Sequence, residues 1–119
     1  MYRKDRIKKI QSKLKKIPIT KSIGWCDDPK SKDYNKLIKL PTNYNYEKLY
    51  RKENTYDLVL VLNFNMKPIV KKKGSAIFIH IAKKNYKKTE GCVAINKIQL
   101  LKIVKKLKNN TKVLIECQK

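Results

Sequence analysis

Two apolar runs in the middle of the chain constrain its fold more than any other feature. Residues 56–65 read YDLVLVLNFN and residues 75–82 read SAIFIHIA. Successive side chains of a strand point to opposite faces, and in the first run both faces are apolar, which is typical of a strand in the middle of a sheet. We therefore predict two strands here, the first of them central in a sheet.

The second half of the chain is predicted to add a short strand, a helix and a last strand. Residues 91–95 read GCVAI, residues 96–110 read NKIQLLKIVKKLKNN and residues 111–117 read TKVLIEC. Asn96 is suited to cap the helix, since its side chain can accept a hydrogen bond from an N–H of the first turn. The spacing predicts an apolar helix face of Ile98, Leu101, Val104 and Leu107, flanked by Leu100 and Ile103.

The first 46 residues carry weaker signals. In the basic segment 1–22, isoleucine and leucine recur at spacings of three and four before Pro18, which favours a helix. Residues 23–46 are rich in Asp, Asn, Pro and Tyr and predict a long ordered loop in which Trp25 is a buried anchor. We therefore separate a basic segment, residues 1–22, from a folded domain, residues 23–119. That domain is expected to be mainly β with one packed α-helix.

The net charge of +22 has two interpretations that the sequence leaves open. It indicates an anionic partner, or it reflects a compositional bias toward lysine, isoleucine and asparagine. Only three of the 31 basic residues are arginine, the residue best suited to bidentate phosphate and base contacts. Because no zinc-finger, ribonucleoprotein or KH pattern is present either, these features argue against nucleic acid as the partner.

Simple sequence patterns argue against several other classes of protein and of site. No run of about 18 apolar residues predicts a membrane span, and the basic start has no apolar segment of signal-peptide type. The three cysteines, Cys26, Cys92 and Cys117, are an odd number without a C-x-x-C pair, which argues against a disulfide framework. With a single histidine in the chain, we predict no metal site and no cofactor.

His80 and Cys92 are the candidate catalytic pair. Strand alternation places His80 on the face of Phe78 near the end of its strand, where a half-wet imidazole could exchange protons. Cys92 follows Gly91, which allows close backbone approach to a ligand, and a thiol becomes a nucleophile when a base lowers its pKa. From the pattern alone, Cys92 is either that nucleophile or a small buried residue after a turn.

The stretch GSAIFIHIAKKNYKKTEGCVAI resembles the catalytic segment of the L,D-transpeptidase (YkuD-type) family, in particular a short branch of it. That family carries a histidine, a variable loop and then Ser/Thr-His-Gly-Cys, to which His80, Thr89, Gly91 and Cys92 correspond. Upstream, IGWCDDPKSKDYN and YDLVLVLNFN resemble segments that precede the catalytic core, so the resemblance covers residues 23–117.

The resemblance implies a β-sandwich-like domain with a packed helix, lacking the N-terminal strands of longer members. Cys92 would attack a carbonyl of a peptidoglycan stem peptide and form a thioester, with His80 as the base. The carbonyl of Ile81 would orient His80, and the backbone N–H groups of Gly91 and Cys92 would hold the oxyanion. No cofactor or metal is implied, and a periplasmic or cell-envelope location is expected. Candidate substrate contacts are Ser75, Phe78, Thr89, Trp25 and Tyr34.

Two departures from the family pattern concern substrate recognition. Glu90 stands where the family usually has histidine, and Ala94 stands where many members have arginine. Both leave the thiol–imidazole pair intact. A catalytically degenerate cell-wall binder of the same fold is therefore the second interpretation, and a basic nucleic-acid-binding domain is the third.

Overall fold

Two three-stranded sheets and one helix make up the part of the chain that the computed structural model describes, residues 1–82 and 93–114. The first sheet has the order β2-β1-β3, with both pairs antiparallel. The second has the order β4-β5-β6. The predicted fold class, mainly β with one packed helix, is confirmed. The elements are β1 Ile23–Cys26, β2 Leu37–Lys39, β3 Tyr46–Lys48, β4 Val59–Val61, β5 Phe78–Ile81, β6 Val93–Ile95 and α1 Lys97–Lys106.

The second sheet separates two hydrophobic cores. One core, between this sheet and α1, includes Leu58, Ile79, Ile81, Leu100 and Val104. The other, on the side of the first sheet, includes Trp25, Leu49, Tyr56, Val59 and Phe78. The predicted alternation along residues 58–62 and 78–81 is confirmed, because even and odd positions of each strand enter different cores.

The central strand of the second sheet is β5, not β4 as predicted. β5 pairs antiparallel with β4 and parallel with β6. On the outer edge of β4, Val59 N–H donates to the carbonyl of Met1 at 2.8 Å, and Tyr2 forms a bridge to Leu58. Apolar side chains on both faces of a strand indicate that both faces are buried. They do not show whether the strand is central in its sheet or at an edge that another segment covers.

The predicted helix in residues 1–22 is wrong. This segment makes a single turn after Arg3 and then runs without regular structure to Pro18, where it bridges Tyr2. Of the predicted apolar face, Ile7 and Ile10 pack in the core beside α1, whereas Leu14 and Ile17 belong to neither core. A helix is stabilised mainly by burial of its apolar face, and here only half of that face packs in a core.

The predicted long loop over residues 23–46 is also wrong, because it contains β1, β2 and the first residue of β3. β1 and β2 form a hairpin in which Trp25 lies opposite Leu37, and residues 27–36 are its connection. Gly24 permits the close approach of β3, since a Cβ there would lie 2.7 Å from the ring of Tyr46. Trp25 is buried, as predicted for an anchor.

The helix is confirmed, but only part of its predicted apolar face is buried. The side chain of Asn96 accepts from Ile98 N–H at 2.9 Å, as expected of the N-cap, and α1 ends at Lys106, before the predicted end. Leu100 and Val104 are its buried residues, whereas Ile98 is 64% exposed. Residues 111–114 do not form the predicted last strand, and 115–117 lie outside the described residues. Within the described ranges, no helix is long and apolar enough to cross a membrane.

Candidate active site

The candidate site centres on His80, in the middle strand of the second sheet. His80 lies opposite Val59 on β4 and opposite Ala94 on β6, and its side chain is on the same face as Phe78, as predicted. The residue is 5% exposed, so the imidazole is much less accessible to solvent than the partly exposed position expected from its place near the strand end. The whole strand is buried, and the sheet therefore holds this histidine rigidly.

A backbone contact fixes which ring nitrogen of His80 carries the proton. Nδ1 lies 3.0 Å from the carbonyl oxygen of Ile81. A carbonyl can only accept a hydrogen bond, so this contact requires the proton on Nδ1. In the neutral imidazole Nε2 then keeps its lone pair and can act as a proton acceptor. This is the contact that the family resemblance implies for Ile81.

Tyr56 covers one side of the imidazole. The two rings meet edge to face, with centroids 5.5 Å apart. Tyr56 O–H donates to Oε1 of Glu47 at 2.7 Å, and Glu47 also forms an ion pair with Arg51, whose guanidinium lies 4.4 Å from the centre of the Tyr56 ring. Phe78 is fully buried against Tyr56 and Trp25, so the observed contacts of these aromatic side chains are with the core.

The segment that leads into β5 is held by three hydrogen bonds from the β1–β2 hairpin. Gly74 N–H donates to the hydroxyl of Tyr34 at 3.2 Å, and Ser75 Oγ donates to the carbonyl of Cys26 at 2.8 Å. Ala76 N–H reaches the side-chain oxygen of Asn35 at 3.4 Å. Tyr34 and Ser75, two of the predicted substrate contacts, thus use their hydroxyl groups to position the strand that carries His80.

Asn35 is a residue of the site region whose role sequence reasoning missed. It is buried, and its backbone φ of 59° lies in the left-handed region that asparagine tolerates better than most residues. Its side chain accepts from the indole N–H of Trp25 at 3.1 Å and donates to the carbonyls of Phe64 and Asn65 at 3.0 and 2.8 Å. The Tyr-Asn pair in the sequence marked the position, but residue type alone did not reveal this network.

The remaining predicted site residues lie outside the described residues. These are the nucleophile Cys92, the oxyanion donor Gly91 and the substrate contact Thr89, and the departure at Glu90 falls in the same range. Val93, the residue that follows Cys92, pairs with Ile79 in the parallel ladder. Ala94, the second departure, is the direct partner of His80.

The two aspartates of the Asp-Asp-Pro sequence have different surroundings. Asp28 accepts from the N–H groups of Lys30 and Asn45, which lower its pKa, and so its carboxylate stabilises the turn. Oδ1 of Asp27 is buried without a hydrogen-bond partner among the described residues. Burial, followed by the charge of Glu47, raises the pKa of Asp27.

The described residues hold no group of three His, Cys, Asp or Glu side chains that could bind a metal ion. Cys26 is fully buried and carries a free thiol. The described residues contribute a buried imidazole, oriented by a backbone carbonyl, on a strand whose parallel neighbour follows a Gly-Cys step in the sequence.

Comparison with known proteins shows the family to which the chain belongs. A family model described as the L,D-transpeptidase catalytic domain (YkuD) matches residues 4–115, and it includes most of the basic segment that we set apart from the domain. No curated protein and no solved structure gave a significant match. Members of this family are transpeptidases of peptidoglycan and are generally associated with the cell envelope. Since the match spans nearly the whole sequence, the chain belongs to the L,D-transpeptidase catalytic domain (YkuD) family.

Proposed function

We propose that this chain is a cysteine-dependent acyltransferase that acts on peptidoglycan stem peptides in the cell envelope, with Cys92 as nucleophile and His80 as base. The observation that carries the proposal is the tautomer of His80. The carbonyl of Ile81 binds Nδ1–H, which leaves Nε2 as the proton acceptor.

The strand register supports the pairing with Cys92. β5 and β6 are parallel neighbours, with Val93 opposite Ile79 and Ala94 opposite His80. Cys92 is bonded to Val93, so the chain itself ties the thiol to the strand beside the imidazole. Adjacent strands lie about 4.8 Å apart, a separation that two side chains can bridge.

The reaction follows from these two groups. Nε2 of His80 takes the thiol proton while Sγ of Cys92 attacks the carbonyl of the stem peptide, and backbone N–H groups at Gly91 and Cys92 stabilise the oxyanion. The imidazolium returns the proton to the departing amine, which leaves a thioester on Cys92. An amine of a second stem peptide, or water, then attacks the thioester with His80 again accepting the proton, and the thiol is restored.

Burial explains why such a base would be effective. The imidazole is enclosed by the sheet and by Tyr56, so little side-chain entropy is lost when the reacting atoms come together. In a site that excludes water, the positive imidazolium and the negative oxyanion also attract each other more strongly than in bulk solvent. Both effects require that the orientation of His80 is set before the substrate binds.

The pH dependence of cysteine alkylation, read by peptide mapping, tests the proposal. We expect Cys92 to titrate clearly below the value of about 8.5 for an ordinary thiol, and to return to that value in His80→Asn. Asparagine keeps an N–H donor for the carbonyl of Ile81 but provides no base. Cys26 is fully buried and is the internal control, because it should stay unreactive in every variant that remains folded.

Three outcomes distinguish the alternatives. A Cys92 that is unreactive, or whose titration is the same with and without His80, would refute the nucleophile. Mass spectrometry with a stem peptide should show a covalent acyl adduct that Cys92→Ala abolishes. If no adduct forms while Cys92→Ala still binds insoluble peptidoglycan, the chain is a degenerate wall binder rather than an enzyme.

A further inference from the structure

A basic cleft lies between the N-terminal segment and the first sheet, outside the candidate active site. Its volume is about 550 Å³, which is within the range of small-ligand sites. The lining combines six cationic side chains with two tyrosines and two aliphatic residues. The cations are Arg3, Arg6, Lys21, Lys48, Arg51 and Lys52, and the tyrosines are Tyr46 and Tyr50.

All three arginines of the chain line this cleft. The other 28 of the 31 lysine and arginine residues are lysine. A general bias toward lysine does not explain why arginine occurs here and nowhere else. Each arginine is held by a carboxylate, and the pairs are Arg3–Asp5, Arg6–Asp57 and Arg51–Glu47. The arginines therefore form an ordered wall rather than a set of mobile surface charges.

Arg51 is fixed in place but retains donors for a ligand. Its Nε donates to the carbonyl of Lys48, its Nη2 binds Glu47, and its guanidinium stacks on Tyr56. Nη1 makes no hydrogen bond to any residue that the structure describes, and the side chain is 30% exposed. A guanidinium held on one edge and open on the other is preorganised to bind an oxyanion.

Three lysines surround this wall with uncompensated charge. Lys21, Lys48 and Lys52 are exposed, and none forms an ion pair within the described ranges. Since the arginines are matched by three carboxylates, the cleft keeps an excess of three positive charges. Tyr46, which is 38% exposed, adds an aromatic face next to these charges.

We propose that this cleft binds a ligand that carries two or more phosphate groups. Several cations around a cavity of this size favour more than one anionic group, and the open edge of Arg51 favours the geometry of phosphate. The source of the phosphates is either a soluble molecule or lipid headgroups. This binding does not depend on Cys92, so the proposal is independent of the acyl-transfer reaction.

Titration calorimetry with inorganic tripolyphosphate at physiological salt tests the site. The test variant is Lys48→Gln/Lys52→Gln, which removes two exposed cations from the cleft. The matched control is Lys102→Gln/Lys105→Gln, which removes the same charge from exposed positions of α1 that do not line the cleft. We expect saturable binding by the unmodified chain, a loss of at least about ten-fold in affinity for the cleft variant, and a change below about two-fold for the control.

Two results would overturn the site. One is the absence of saturable binding at physiological salt, and the other is an equal loss in both double variants, which would indicate attraction to net charge alone. Flotation with phosphatidylglycerol and phosphatidylcholine vesicles identifies the source. If tripolyphosphate binds, phosphatidylglycerol vesicles bind as well and phosphatidylcholine vesicles do not, and the cleft variant alone loses both interactions, the phosphates belong to lipid headgroups. If tripolyphosphate binds and vesicles do not, the ligand is soluble.

Discussion

Replacement of Asn35 is the perturbation whose cost the structure defines best. In Asn35→Ala the indole N–H of Trp25 loses its acceptor, and the carbonyls of Phe64 and Asn65 lose their donor. The backbone must also keep a φ of 59° with a residue that disfavours it. Because the hydrogen bond to Ala76 is lost as well, the approach to the strand of His80 is weakened at the same time.

The magnitude follows from two contributions. A buried donor left without a partner costs about 1–3 kcal/mol, and a left-handed backbone costs about 1–2 kcal/mol for a residue such as alanine. Together they predict a loss of about 2–5 kcal/mol, a large part of the 5–15 kcal/mol by which a domain is typically stable. Asn35→Gly should retain about 1 kcal/mol more than Asn35→Ala, since glycine accepts the positive φ.

Urea unfolding followed by tryptophan fluorescence is the appropriate assay. Trp25 is the only tryptophan, so its emission reports directly on the environment that Asn35 maintains. Asn35→Asp keeps an acceptor for Trp25, but it places a carboxylate oxygen against the carbonyls of Phe64 and Asn65 in a buried site. It should therefore be at least as destabilised as Asn35→Ala at neutral pH. A loss below about 1 kcal/mol in Asn35→Ala would refute the reasoning, because the network would then contribute no more than an average surface contact.

Two further predictions concern packing and pH. Leu100→Ala should lower the free energy of unfolding by about 2–5 kcal/mol, because it leaves a cavity in the core. Ile98→Ala, at a position that is 64% exposed, should change that free energy by no more than about 0.5 kcal/mol. Equal losses for the two variants in urea unfolding would mean that α1 packs with another face. The pKa of Asp27 is raised in the folded protein, so its ionisation lowers stability above the unfolded-state value of about 3.9. Asp27→Asn should therefore be more stable than the wild type at pH 7, by less than about 1 kcal/mol because the carboxyl group is partly exposed. A gain that persists below about pH 3, where Asp27 is protonated in both states, would show that the gain does not come from its ionisation.

Local alternation was enough to predict the strands of the second sheet and the face of His80, although not the order of those strands. A strand exposes successive side chains to opposite sides whatever its partners are, so the separation of Phe78 and Ile79 into different cores could be read from the sequence. The role of Asn96 as N-cap was equally predictable, because helix capping depends only on the cap residue and the first turn of its own helix.

Features that depend on partners could not be predicted in the same way. β1, β2 and β3 have only three or four residues each, too few for a period-two signal to emerge from turn-rich surroundings. The buried face of α1 was predicted only in part, because two neighbouring faces of the helix are apolar and packing against the sheet selects between them. Asn35 resembled an ordinary turn residue, since a hydrogen-bond network over long sequence distances leaves no local pattern.

The burial of β5 has a consequence for how the histidine behaves over time. The strand is hydrogen-bonded to a neighbour on each edge and covered on each face, so its amides should exchange with deuterated solvent only when the whole domain opens. Functional groups are more often found in segments that open at low free-energy cost. Here the tautomer of His80 is set by Ile81, a residue of the same strand, and the orientation of the base should therefore last as long as the native state itself.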